Sequence, residues 1–386
     1  MRKYASGPLA CVVGTIDLVR ALGIAGIDSA VVAPPRDFAR FSRFTKVGID
    51  GVDAALHADV LVERLLRFGS EQPSPPVLYY DGDFKLLALS RARERLRDVF
   101  RIVLPDATLA EDLVDKARFV ELVDRLELPV PPSLRVSPTD VTAAHDLRFP
   151  LVVKPLTRQN EAWAPIASAK AVEVESPAAL ETLLQPLGEA GVEVLVQELV
   201  PGPETNVESY HAYVDEHREL VAEFTGRKLR TYPEHFGYST ALEITSDPDV
   251  IEVGRDILDR LEFRGVAKLD FKRHPDDGRL YLLEVNPRFN LWHYPGAKAG
   301  VNIPELVYRD LTGLPRGEAP KVRPGVRWVH PWFDLRAARE QNVSLARWVP
   351  WMLGSETKHG VALDEPLLLP RLAANRALGK LRSRRS

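Results

Sequence analysis

The chain has 386 residues, enough for two or three domains, and its 45% apolar and 27% charged content is that of an ordinary soluble globular protein. A formal net charge of −3 and the absence of any run of about 18 apolar residues speak against nucleic-acid and membrane partners. One cysteine, Cys11, excludes an internal disulfide, and nine scattered histidines lack the spacing of a zinc site. With no signal-peptide pattern in "MRKYASGPLACVV", a reducing, cytoplasmic setting is expected.

In chain order, "LACVVG" predicts a strand, "IDLVRALGIAG" a helix closed by Gly26, and "SAVVAP" a second strand. "DAALHADVLVERLLRFG" supports another helix, and "PPVLYY" a strand before the turn-like "DGD". This alternation predicts a Rossmann-like, doubly wound parallel-sheet domain over 1–107. "VVGTIDLVRALG" lacks G-x-G-x-x-G, so a scaffold or substrate-binding domain fits it better than a dinucleotide site. "AEDLVDKARFVELVDRLEL" reads as one helix with Leu113, Ala117, Val120, Leu122 and Leu126 on one stripe, ending before "PVPPS". "FPLVVKPL" is an apolar strand carrying Lys154, "SPAALETLLQPL" a capped helix, and "EVLVQELVPGPE" a strand entering a turn. From 204 to 290 the pattern is antiparallel with one helix, "DPDVIEVGRDILDRL". Parallel then antiparallel architecture gives a mixed α/β and α+β chain, with a second domain over 108–315. Residues 316–386 are expected to be a mostly helical extension with a basic tail, "GKLRSRRS", as a solvated end. Trp328, Trp332, Trp348 and Trp351 are expected to pack in its core.

"VAKLDFKRHPDDGRLYLLEVNPRFN" carries the chemistry. A three-residue loop, Asp276-Asp277-Gly278 with Gly278 at positive φ, sets Pro275 opposite Arg279 and Asp270 opposite Glu284. Paired residues have Cβ atoms about 4.5–5.5 Å apart. Two carboxylates so close repel unless a proton or cation lies between them. Glu284, Asn286 and Arg288 alternate and so share one face, with Lys268 opposite Asn286. Two carboxylates and an amide oxygen suit Mg²⁺, and Arg288 stands where a planar cation could meet a phosphate. A solvated ladder of Lys–Asp–Glu pairs is the plain alternative. The apolar opposite face and the "NPR" exit favour the metal.

With "VVKP", "VQELVPGPE", "GRKLRTYP" and "LDFK…LLEVNPRFN" in this order, the chain resembles the ATP-grasp enzymes from about residue 5 to 375. It is most similar to a group of bacterial ATP-grasp carboxylate–amine ligases, to which D-aspartate ligase is also similar. The resemblance implies an ATP-grasp fold preceded by the Rossmann-like domain, with the nucleotide cleft between two subdomains of 108–315. It assigns Lys116 to the entry of the nucleotide cleft and Lys154 to the α- and β-phosphates. Gln197, Glu198, Leu199 and Val200 become the adenine-reading hinge, and Glu204 the ribose carboxylate. Asp270, Glu284 and Asn286 become the magnesium ligands. Arg288 falls beside the transferred phosphate and the reacting carboxylate. Lys228 and Arg230 match a pattern of the closer group and would meet a substrate carboxylate or phosphate; a solvated basic turn would look the same. Many members cover the phosphates with a glycine-rich loop. Here 155–170 has no glycine, and Ser168 and Lys170 are the substitutes.

The implied reaction uses ATP and Mg²⁺ to phosphorylate a carboxylate, and an amine then attacks the acyl phosphate to give an amide, ADP and phosphate. The acid and amine would be small molecules, amino acids among them, and a homodimer is usual for such enzymes. "RTYPEHFGYST" and "RFNLWHYPGAKAG" are the candidate substrate wall, with His293 and Tyr294 read as packing. A phosphotransferase and a non-catalytic nucleotide-binding module stay open as alternatives.

Overall fold

A computed structural model describes residues 4, 7–136, 144, 146–156, 163–166, 171–360, 365–368, 370, 371 and 373. The alternating N-terminal pattern builds β1 (Ala10–Val13), α1 (Ile16–Ala25), β2 (Ser29–Ala33), β3 (Thr45–Asp50), α2 (Ala58–Ser70), β4 (Val77–Tyr80), α3 (Asp83–Arg91) and α4 (Arg93–Arg97). The four strands run parallel in the order β3-β2-β1-β4. β1, β2 and β4 are buried throughout, which is why they read as unbroken apolar runs. Sequence reading missed β3 because it is a largely exposed edge strand with no apolar period. α1 ends as expected at Gly26, which takes the left-handed conformation at φ 91°. Strand order reverses between β1 and β4, so the crevice past their carboxyl ends is lined by Gly14-Thr15 and Asp81-Gly82-Asp83.

The next segment departs from the single predicted helix. It forms α5 (Ala107–Val114) and α6 (Lys116–Arg125), because Asp115 leaves the helical region (ψ 122°) and its carboxylate caps the amides of Ala117 and Arg118. The break puts Lys116 at the first position of α6.

β5 (Ser133–Val136), β6 (Leu151–Pro155), α7 (Trp163–Ile166), β7 (Val172–Val174), α8 (Pro177–Glu189) and β8 (Val194–Glu198) form a small lobe. Its sheet is antiparallel in the order β5-β8-β6-β7. Leu180, Leu184 and Leu187 of α8 pack on Leu151, Val153, Val194 and Val196.

The remaining elements are β9 (Val207–Val214), β10 (Leu220–Tyr232), β11 (Tyr238–Thr245), α9 (Pro248–Arg260), β12 (Gly265–Arg273), β13 (Leu280–Asn286), α10 (His293–Lys298), α11 (Ile303–Leu311), β14 (Arg327–Val329), α12 (Pro331–Glu340), α13 (Leu345–Gly354) and β15 (Thr357–Lys358). They build a seven-stranded sheet, β13-β12-β9-β10-β11-β14-β15. Val250, Ile257 and Leu258 of α9 pack with Tyr210, Leu269, Phe271 and Leu282, which leaves the other face for the site. The C-terminal stretch is therefore not helical packing alone, since β14 and β15 extend this sheet. Trp328 and Trp348 are buried as expected, whereas Trp332 is 70% exposed and does not belong to a core. No helix among the described residues is long and apolar enough to cross a membrane.

Candidate functional site

Strand register assembles the site in rows. Asp270 lies opposite Glu284 and Lys268 opposite Asn286, as the sequence predicts. The route differs. The loop has four residues, 275–278, so that His274 faces Arg279, and a bulge between Leu282 and Glu284 restores the register. β9 extends the rows, with Val207 opposite Lys272, Ser209 opposite Asp270 and His211 opposite Lys268. Gly226 of β10 follows Ser209 in its row, and a Cβ there would overlap the Trp292 ring that folds over it.

Within these rows Ser209 Oγ donates to Asp270 Oδ1, and Lys268 Nζ sits 2.5 Å from Asp270 Oδ2. Asn286 Nδ2 donates to Glu284 Oε1 at 3.0 Å, and Arg288 Nη2 to Asn286 Oδ1 at 3.0 Å. Burial pushes the Asp270 carboxyl up. The Lys268 and Lys228 cations and a hydrogen bond with Glu284 outweigh it and hold the group well below the usual carboxylate range. A buried ionised carboxylate facing a second one, with an amide oxygen alongside and an ammonium already drawn in, is a donor set that fits a hard cation such as Mg²⁺.

The small lobe supplies the opposing wall. Lys154 Nζ donates to Gln197 Oε1 at 2.9 Å, and Gln197 Nε2 to Ser133 Oγ at 2.8 Å. Burial lowers the Lys154 pKa, and the charge of the Glu284 carboxylate in the row across from it works against that shift. Lys116 Nζ donates to the Pro155 carbonyl at 2.6 Å, beside Lys154. The hinge Gln197–Val200 is tied by Glu198 N to Pro132 O and Leu199 N to Pro150 O, with Val200 buried. Glu198 points its side chain away, accepting from Arg148 N at 2.9 Å and Nη2 at 3.2 Å. Glu204 opens a short helical turn and acts on Lys272. Lys170 and Ser168 lie outside the described residues.

Lys228 and Arg230 part company. A bulge pairs them with the consecutive residues Leu242 and Ala241, so they face opposite sides of the sheet. Lys228 lies on the Asp270 face. Arg230 is taken up by Asp334, with Nε–Oδ1 at 2.8 Å and Nη2–Oδ2 at 2.7 Å, and stacks 4.1 Å above Trp351. The structure thus separates the two, with Arg230 drawn to the C-terminal segment by Asp334 and Trp351. His293 and Tyr294 are packing as expected, and burial drops His293 to about 4.

Sequence reasoning missed Asp83, Ser209 and Lys272. Arg288 Nε donates to Asp83 Oδ1, at the start of α3 in the switch-point crevice and 205 residues away. Burial lowers the Arg288 pKa, but Asp83, then Glu284 and Asp81, raise it overall. The alternation of "KLDFK" could have put Lys272 on the Asp270 face; no local signal could have found Asp83.

Residues 191–331 match a family model described as ATP-grasp in the biosynthetic pathway with Ter operon. The D-aspartate ligase of Enterococcus faecium is 25% identical over 284 residues, 70% of this chain and 68% of that protein. The N5-carboxyaminoimidazole synthetase of Staphylococcus aureus, solved with ADP, superposes with a TM-score of 0.63 at 14% identity, over 84% of this chain and 82% of that one. An L-amino acid ligase from Bacillus licheniformis gives 0.59 at 16%, over 82% and 77%. The two antiparallel sheets, the parallel domain before them and these matches agree, and the chain has the ATP-grasp fold.

Proposed function

We propose that the chain is an ATP- and Mg²⁺-dependent carboxylate–amine ligase that forms an amide through an acyl phosphate and releases ADP and phosphate. The observation that carries this reading is the Asp270–Glu284–Asn286–Arg288 face set against Lys154 of the other lobe. Asp270, Glu284 and Asn286 would hold Mg²⁺, which when bound screens the phosphate charge. Lys154 would steady the α- and β-phosphates with Lys116 at the entry of the cleft, the Gln197–Val200 backbone would hold the adenine, and Glu204 the ribose. Arg288 would orient the γ-phosphate against the acid and spread the charge that develops there. The acid's carboxylate oxygen attacks the γ-phosphorus and ADP leaves; the amine then attacks the acyl carbon, loses a proton and expels phosphate. The catalysis asked of the chain is positioning and electrostatics, with no nucleophilic side chain. The names of the relatives, a D-aspartate ligase and an L-amino acid ligase, make amino acids the first substrates to try. In this reading 1–107 and 316–386 frame the ATP-grasp body at 108–315, and the protein works in the cytoplasm.

The test is ADP and phosphate release with Mg-ATP over a grid of carboxylates crossed with amines, with Glu284→Ala as the blank. ADP that needs both partners and vanishes in the variant supports the ligase. ADP with the acid alone favours a phosphotransferase. ATP binding without ADP from any pair favours a binding module.

A further inference from the structure

Most cations of the cleft have a protein partner: Lys116 has the Pro155 carbonyl, Lys154 has Gln197, Lys268 has Asp270 and Arg288 has Asp83. Lys272 differs. Its residue is 7% exposed, yet among the described residues its ammonium has no hydrogen-bonded or ion-paired partner. A lysine brings three donors and a charge, and no acceptor among the described residues takes them, so the group is open to a ligand that supplies acceptors.

Its position says which ligand. Lys272 is two residues from Asp270 on the same strand face, roughly 7 Å along β12. It lies on the side away from Lys268, Asn286 and Arg288. Its charged neighbours are Glu204, Lys228 and Glu173. Glu173 belongs to β7 of the small lobe, so the ammonium points across the cleft. The floor of the cleft therefore carries cations at both ends of the metal row. The Arg288 end suits the transferred phosphate, and the Lys272 end lies beside Glu204, where the nucleoside is expected.

We propose that Lys272 is a nucleotide-binding residue whose ammonium contacts the α-phosphate. This rests on the reading of the cleft as an ATP site. The cation would supply from the floor some of the positive charge that glycine-loop amides give elsewhere, in a chain whose 155–170 segment has no glycine.

The test uses the full chain without added metal. Affinities for adenosine, AMP, ADP and ATP are measured by calorimetry for the wild type, Lys272→Met and Lys272→Arg, together with the nucleotide-free melting temperatures. Lys272→Met is expected to weaken AMP, ADP and ATP by a similar factor, about tenfold to a hundredfold, and to leave adenosine unchanged. Lys272→Arg should keep most of the affinity. Nucleotide-free Lys272→Met should melt no lower than the wild type, because the ammonium makes no hydrogen bond or ion pair to the described residues that the substitution would remove. Undiminished AMP binding, an equal loss for adenosine, or a lower melting temperature would overturn the proposal. A wild type that binds none of the four would instead overturn the ATP-site reading, and this assignment with it.

Discussion

Arg230→Ala separates a structural arginine from a substrate ligand. Asp334 has a fully buried carboxylate that accepts from Arg230 through both oxygens, from Thr240 at 2.9 Å and from Trp348 at 2.8 Å. Removing one partner of a buried ion pair costs about 3–5 kcal/mol. Two of the four hydrogen bonds survive, which puts this case near the lower end. The lost stacking on Trp351 adds about 0.5–1 kcal/mol, for about 3–4 kcal/mol in all. Adding Asp334→Asn removes the orphaned charge, so the double variant should be more stable than the sum of the single losses by about 1–3 kcal/mol. Urea unfolding followed by tryptophan fluorescence reads this directly, since Trp348 and Trp351 flank the pair. ADP affinity of the folded variant should match the wild type. An unchanged urea midpoint together with lost substrate-dependent turnover would refute the structural assignment.

Asp83→Asn removes the charge that holds Arg288 from the N-terminal domain. ADP release with a productive acid–amine pair should fall about tenfold to a hundredfold while metal-free ADP affinity stays within about twofold; wild-type turnover would show that Arg288 needs no such partner. Acid should weaken the fold. Burial holds His211 well below its ordinary value and His293 and His330 at about 4, so below pH 6.5 the unfolded chain takes up protons that the folded one refuses. The contribution of these three is then full above pH 6.5 and falls towards pH 4, by about 1.4 kcal/mol per pH unit for each of the fully buried His211 and His293 and by less for the partly exposed His330; equal urea midpoints at pH 7 and 5, or a His330→Asn variant with an unaltered slope, would refute this. His359, raised by Asp17 against the effect of burial, has the opposite sign, its contribution being present below pH 6.5 and lost as pH rises through its folded pKa.

The parts of the site that lie on one hairpin were legible because strand alternation is a local property. Asp270 and Glu284 face each other although the loop has one residue more than its sequence suggested, because the bulge beside Glu284 absorbs it. Strict alternation would put Lys228 and Arg230 on one face. There a bulge turns the second residue to the other face, and nothing in "GRKLRTYP" marks it. The Asp115 break was missed because the apolar stripe continues across it, while the capping carboxylate decides where α6 begins.

What no local pattern encodes is which loops meet. Arg288 stands at the end of a strand where a guanidinium needs an anion, and "NPR" shows only half of that pair. The other half sits after β4, where the reversal of strand order opens a crevice in a different sheet. The N-terminal domain was read as a scaffold or a substrate-binding unit because it lacks a phosphate loop. Asp83 gives it a more particular part, since its carboxylate fixes one side of the arginine while Asn286 takes another. The direction of the Arg288 guanidinium is thus set jointly by two domains. A relative movement of those domains would change that direction without any change within the Asp270–Glu284–Asn286 row, and under the proposed function the Asp83–Arg288 contact would be the point where domain position and phosphate chemistry are coupled.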